Sequence, residues 1–567
     1  MNFSSRNSAI TRPWVILTVI FILGLGLRLH KLDYQSFWGD EYINIVLAQG
    51  SHVWRECLLH IIPPAYIFLL AGWIKIFALS ETTARILGAL IGAFSIIPFY
   101  FLGKRLFNKN VGILASLFLS LSALHINYCQ EVKYYPLVFL MAILVNLAYV
   151  NIWHKPTLKH FVYYVLSFTV GLYTHYYFGI FFAIHLLHLF FNRKNTLFHI
   201  PKILYAQGAI ALLFSPILVY TLLNLKRIAG STSWISAPTI SSIPNTLSVM
   251  LYGDEWVSGE VLLVFYSTFF ALFFFTYRFS QRQWSTARMP ISLTLLWLSV
   301  PPLVFYIFSL VVFPVYQTRY LLVSMLGLYL LLAWAVDSIP PPPVQGKIRL
   351  KTLVPVLWLI FLMLLSVIFF YAFRGHEIIT RMYNGQSLDF LNRTIESQAI
   401  YPLKDYLAKG DRIFRTIVNL GFLFGFFIIL SNQPSLHPKR TAMITLRTVI
   451  IAFFICNNIF SLIFYFHHPV RAQFRETAGF ISKHCATNER ILVKGYTPEG
   501  GLFEYYFKKS GLPNAILTDY RRKTPTLEGY DWIVDVFRDT NHNSNLSLMK
   551  EFCQINVYRA KTPPAPH

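Results

Sequence analysis

WVILTVIFILGLGLRLHKLDYQSFWGDEYINI, residues Trp14 to Ile45, is the stretch whose reading decides the fold. Its first half, from Val15 to Leu27, is apolar, and roughly 20 such residues in a helix cross a hydrocarbon core about 30 Å thick. Arg6 and Arg12 precede it and no A-x-A-like cleavage site follows. A retained first span with a cytoplasmic N-terminus is therefore expected, not a removed signal peptide. The second half turns polar and aromatic, and ten residues beyond His30 it sets two adjacent carboxylates, Asp40 and Glu41, behind Trp38 and Gly39.

The rest of the 567-residue chain repeats the first half of that pattern. With 55% hydrophobic and 13% charged residues it carries more apolar surface than a globular core can hide, so the lipid bilayer is its solvent. The formal charge of +24, from 49 basic and 25 acidic residues, lies mostly in short breaks such as KRLFNKN (104 to 110), HKPTLKH (154 to 160) and NRKN (192 to 195). That placement is a topology signal and excludes a nucleic-acid footprint. Because only helices satisfy their own backbone in lipid without closing a barrel, about 13 spans are expected. They fall at 13–30, 82–103, 110–128, 136–152, 161–175, 177–191, 202–223, 260–277, 290–312, 319–336, 352–371, 413–431 and 444–465.

Pro63 to Ala78 is apolar but short and amphipathic. Laid along the outer surface, it leaves every basic loop on the cytoplasmic side, as the positive-inside rule requires. The architecture expected is an α-helical polytopic transmembrane domain (1–466), with its first outer loop at 31–81, followed by a small extracytoplasmic α/β domain (467–567). In that tail ERILVKGY, NAILTDY and YDWIVDVF read as strands, and ETAGFISKHC, EGGLFEYYFKK and SLMKEFC as helices. Cys485 and Cys553 lie there, either bridged or as two thiols.

Charged and polar side chains on the outer side are the candidates for chemistry. Adjacent residues of a helix cannot face one site, so of Asp40 and Glu41 one acts and the other supports. A carboxylate in a partly desolvated cleft suits a general base; a solvated pair or a helix cap is the plainer account. Arg85, a few residues inside the second span, needs an anionic partner or snorkels to the headgroups. NYCQEVKYYPL places Gln130, Glu131 and Lys133 in one very short outward turn, where Glu131 would orient an acceptor and Lys133 would meet phosphate, unless they pair with each other. His60 precedes Pro63 and Pro64, His175 lies in GLYTHYYFGIFF, and Arg319 and Tyr320 open FPVYQTRYLLV. Several basic groups at one depth suit a lipid phosphate at headgroup level.

Taken in order, these pieces resemble the GT-C class of integral membrane glycosyltransferases, in the branch of protein O-mannosyltransferases and lipid A aminoarabinose transferases. The likeness runs over about the first 340 residues. It comprises the Asp40-Glu41 pair, the PP-aromatic run Pro63 to Tyr66, AR-x-x-GAL around Arg85, CQEVKYYPL, Thr174 to Phe178, and RYLL from Arg319. The family's H-P-P is stretched here to His60-Ile-Ile-Pro63-Pro64, which leaves His60 without a defined role, and Lys133 stands where arginine is common.

The resemblance implies a polyprenyl-phosphate sugar donor, a glycan, lipid or protein acceptor, and inverting transfer on the outer side of the inner membrane. Asp40 would be the base, Glu41 its support, and Glu131 an acceptor-positioning group. Lys133, Arg319, Arg85, His175 and Tyr320 would bind the donor phosphate. No cofactor is required, and although some relatives use a divalent metal, no clear metal site stands in the sequence. A lipid or glycan flippase is the rival from another class; transporters, however, gather polar groups near the midplane.

Overall fold

A computed structural model describes residues 4–192, 200–231, 235–240, 242–253, 288–338, 438–467, 471–486, 489–495, 497–512, 516–519, 530–536, 546–552 and 555–560. Among these, six helices are long and apolar enough to cross a membrane, or seven if one bent pair counts as a span. They are Glu81–Leu106, Tyr135–His154, Ile200–Leu223, Met289–Val311, Thr318–Ser338 and Ile450–His467. The expected spans at 260–277, 352–371 and 413–431 lie outside the described residues. Pro13–Leu29 and Tyr176–Phe191 are apolar but shorter, and so is Pro64–Phe77 in the loop after the first helix.

The expected span at 110–128 is a broken one: Lys109–Leu121 and Ala123–Cys129 meet at 59°. A break inside a bilayer persists only where its loosened backbone groups find partners. Here Asn458 Oδ1 accepts from the Ala123 N–H at 2.9 Å, and Tyr329 OH donates to Ser122 Oγ at 2.7 Å.

The chain divides into two compact units. The first comprises residues 1–27, 92–126 and 138–462. Within it, helices Ile96–Leu106 and Lys109–Leu121 approach through Gly103 and Gly112: a Cβ on Gly112 would lie 2.6 Å from Tyr100 O. Small residues let helices close in lipid, where no hydrophobic force drives them together. The same unit buries a polar chain in which His185 joins Asn146 (2.9 Å) and Tyr164 (2.8 Å), and Gln207 donates to Tyr164 OH (3.3 Å). Groups without water must pair with one another.

The second unit gathers residues 28–91, 127–137 and 463–567. The loop supplies helices Gly39–Gln49, Val53–His60 and Pro64–Phe77. The tail supplies helices Phe474–His484 and Thr497–Lys509 and a five-stranded sheet. Its strands are β1 (Ile491–Gly495), β2 (Ile516–Asp519), β3 (Trp532–Asp535), β4 (Leu546–Phe552) and β5 (Ile555–Ala560), in the order β2-β1-β3-β5-β4. β1 runs parallel to β2 and β3, and β5 antiparallel to β3 and β4.

One expectation for the tail is corrected: SLMKEFC is not a helix, since Leu546–Phe552 form β4. Leu, Met, Lys and Glu favour helix locally, but the ladder to β5, with a bulge between Leu548 and Lys550, outweighs that preference. Cys485 is a free thiol, pushed up to about 11 by burial and the nearby Glu489 carboxylate; Cys553 lies outside the described residues.

Candidate active site

Asp40 and Glu41 occupy the first turn of Gly39–Gln49, where acidic side chains favour the positive end of the helix dipole. Their environments differ sharply. Glu41 is fully buried, whereas the Asp40 side chain is 33% exposed. Arg85 meets Glu41 as a fork, Nε to Oε1 at 2.8 Å and Nη2 to Oε2 at 2.7 Å. The remaining Arg85 donors go to the carbonyls of Leu32 (2.8 Å), Gln35 (2.6 Å) and Ser36 (3.0 Å). All five N–H groups of this guanidinium are thus engaged, and it ties the loop to the helix that follows.

Glu41 accepts two backbone N–H bonds as well, from Val132 at 2.9 Å and from Trp38 at 3.3 Å. The second is the reach of an N3 carboxylate back to its N-cap. Burial alone would raise the Glu41 carboxyl, but Arg85, then Arg471, and the Val132 bond outweigh it and hold it below the ordinary carboxylate range.

The turn after Cys129 is fastened to the loop residue by residue. Gln130 Nε2 donates to the carbonyls of Arg28 (2.9 Å) and His30 (2.8 Å), satisfying groups that the end of the first helix leaves open. Asn44 Nδ2 donates to Val132 O at 2.7 Å, so Val132 is gripped on both its backbone groups. Gly88, one turn beyond Arg85 in the AR-x-x-GAL stretch, makes room: a Cβ there would stand 2.8 Å from Cys129 O and 3.2 Å from Glu131 O.

The outcome is that Lys133 Nζ lies 3.6 Å from Asp40 Oδ2. The mutual Glu131–Lys133 pair weighed from the sequence is not what forms; Glu131 Oε1 instead receives Arg471 Nη2 at 2.7 Å.

Arg471 is the residue that sequence reasoning missed. It is 8% exposed, and its Nη1 also stands 3.9 Å from Glu41 Oε2. Glu131 and then Glu41 hold it charged against the cost of burial. The available signal was its place at the start of the polar tail, on the outer side where the charge bias also puts Glu131. Tyr66, from the PP-aromatic run, is fully buried, and burial followed by the Glu41 and Glu131 charges pushes its phenol up.

His60 ends its helix exposed, before Ile61 in the left-handed region (φ 55°). His175, Arg319 and Tyr320 belong to the first unit, His175 as the N-cap of the 3-10 segment Tyr176–Gly179 and the other two within the 3-10 segment Thr318–Ser324. There the Tyr320 ring centroid lies 5.6 Å from His175 and 5.0 Å from Tyr177, and the Arg319 guanidinium 5.5 Å from Tyr320. Among the described residues, no group of three or more His, Cys, Asp or Glu is placed to hold a metal ion.

Residues 62–220 match the family described as dolichyl-phosphate-mannose-protein mannosyltransferase. No match is found among curated proteins. The structure of ArnT from Cupriavidus metallidurans in the apo state is 11% identical, with a TM-score of 0.51 over 98% of each chain. The same protein bound to undecaprenyl phosphate scores 0.48 at 11% identity, over 97% of this chain and 98% of that one. An Archaeoglobus fulgidus oligosaccharyltransferase tethered to an acceptor peptide scores 0.41 at 11% identity, over 89% of this chain and 63% of that one. Of these, the apo ArnT comparison carries the fold, end to end. With a partial family match over residues 62–220 inside it, the chain is a multi-pass helical membrane protein with the GT-C fold seen in ArnT.

Proposed function

We propose that this protein is a glycosyltransferase that moves a hexosyl or pentosyl group from a polyprenyl-phosphate donor to a hydroxyl or amine of a glycan, lipid or protein acceptor. The reaction is placed on the outer face of the inner membrane. The observation that carries this reading is the partly exposed Asp40 carboxylate beside the Lys133 ammonium, set on a buried frame of Glu41, Arg85, Glu131 and Arg471. The family match over 62–220 supports the lipid-phosphate donor.

Asp40 takes the acceptor proton while the acceptor oxygen or nitrogen attacks the anomeric carbon. The bond from that carbon to the phosphate oxygen breaks, with inversion, and the lipid phosphate leaves with the bonding electrons. Lys133 meets the charge that grows on the departing phosphate, when a fixed cation contributes most. Arg319, with His175 and Tyr320, is read as a second group of donor-phosphate ligands. Arg85, expected at the phosphate, is read instead as the anchor of Glu41, a reading supported by the engagement of all its donors. Glu131, expected at the acceptor, is likewise read as part of the frame.

Asp40→Asn tests the reading: the purified variant is expected to bind donor while transfer falls by about 10³-fold or more, the scale of a lost general base with its positioning. Transfer at the parent rate would sink the assignment. Arg319→Ala is expected to weaken donor binding more than acceptor binding, measured by titrating each separately; an unchanged donor affinity counts against its role.

A further inference from the structure

Lys133 reaches Asp40 because its segment is held at three consecutive residues, Gln130, Glu131 and Val132. Gln130 and Val132 find their partners within residues 28–44. Glu131 finds its partner, Arg471, 340 residues further along the chain. Arg471 touches both elements that carry reactive groups. It donates to Glu131 and to Asn127 Oδ1 (3.2 Å), while its guanidinium stands 3.9 Å from Glu41 and 5.9 Å from the Trp38 ring, either side of Asp40. A planar fork can bridge two elements in this way where an ammonium would serve one.

The backbone beside Arg471 is equally fixed. Ser36 Oγ donates to Ala472 O at 2.9 Å and accepts from Phe474 N at 3.0 Å. Arg475 donates to the carbonyls of Asp33 and Tyr34, and Tyr506 OH donates to Glu81 while accepting from Phe37 N. The position of Arg471 is therefore set by the tail as a whole, not by the reach of one long side chain.

We propose that Arg471 is a positioning residue for transfer: by bridging Glu131 and Glu41 it sets the separation of Lys133 and Asp40, and through it the C-terminal segment governs the site. This rests on the reading of Asp40 and Lys133 as the reacting pair. Any movement of the tail that withdraws Arg471 releases the turn that carries Lys133.

The full-length protein in lipid nanodiscs is the test system. Arg471→Gln alone strands the Glu131 carboxylate, so the informative variant is Arg471→Gln with Glu131→Gln, which removes both charges and retains the shape. Thermal midpoint, transfer kinetics and the rate of Lys133 amine labelling, followed by mass spectrometry, are compared with the parent. The expected result is a midpoint near the parent's, kcat lower by about 100-fold, the scale of a misplacement near 1 Å, with KM little changed. Lys133, 9% exposed in the intact frame, is expected to label several-fold faster. Arg471→Lys, which keeps the charge and loses the fork, is expected to fall between the two. Parent values of both kcat and labelling in the double variant would overturn the proposal. Labelling needs no turnover, so if the parent transfers no sugar from a lipid-phosphate donor, the functional reading fails while the labelling rate still decides whether Arg471 positions Lys133.

Discussion

Asp40 and Glu41 are neighbours that the fold sets in different environments, one partly exposed and one buried, and substitution is expected to separate them. Asn in place of the partly exposed Asp40 leaves the buried frame untouched, so the thermal midpoint should stay where it is while transfer disappears. Glu41→Gln does the opposite to stability. It leaves the Arg85 guanidinium buried without a carboxylate, and breaking such a pair from one side costs about 3–5 kcal/mol. Thermal unfolding of purified Glu41→Gln should show a clear fall in midpoint; a midpoint at the parent value would mean that Arg85 finds another anion. The carboxylate pair was visible in the sequence as a dipeptide; the unequal burial of its two members was not. Which member was exposed depended on the turn of Gly39–Gln49 that faces Arg85, a partner 44 residues away.

At the scale of elements, the AR-x-x-GAL stretch has a double use that its letters alone do not explain. Arg85 draws the loop in, and Gly88 on the next turn lets the Cys129–Glu131 backbone lie against the helix. Gly88→Ala improves intrinsic helix propensity, yet its Cβ meets carbonyl oxygens that can move only with the whole turn. Such a displacement carries Lys133 with it, and a loss of about tenfold in kcat is expected, part of the 10²-fold that follows a shift near 1 Å. Kinetics of purified Gly88→Ala check this, and parent-like turnover would show that the turn yields without moving Lys133. The sequence signalled most of these elements correctly because hydropathy is local. It misled at β4, where pairing with β5 overrides local preference, and it did not show the break at Ser122, where Asn458 takes up the Ala123 N–H and Tyr329 holds the Ser122 hydroxyl.

Across the whole molecule, the loop after the first helix, the 127–137 segment and the C-terminal sheet fall in one compact unit, so the stability of the tail bears on the candidate site. Glu489 is a pH-sensitive point in that tail. It accepts from Ala486 N and Trp532 Nε1, each at 2.8 Å, and from Arg559 Nη2 at 2.7 Å. Burial opposes its charge, but these partners outweigh it and hold the carboxyl below the ordinary carboxylate range. A carboxyl lowered by folding stabilises the fold above its unfolded value and loses that contribution as the pH falls through the folded one. Loosening of the C-terminal sheet is therefore expected on acidification through and below the ordinary carboxylate range, and Glu489→Gln should flatten that dependence. Hydrogen exchange across a pH series checks it, and identical acid profiles for parent and variant would refute it. The sequence by itself determined the bilayer as solvent, the helical spans, the acidic pair beyond the first span and the mixed tail, because apolar run length and charge placement are properties of neighbouring residues. Only the tertiary structure decided that Glu131 pairs with Arg471, that all the donors of Arg85 are used on the loop, and that Lys133 is the cation beside Asp40. Ion pairs are chosen by distance in space and by the cost of burying charge, and neither is written in the order of the residues.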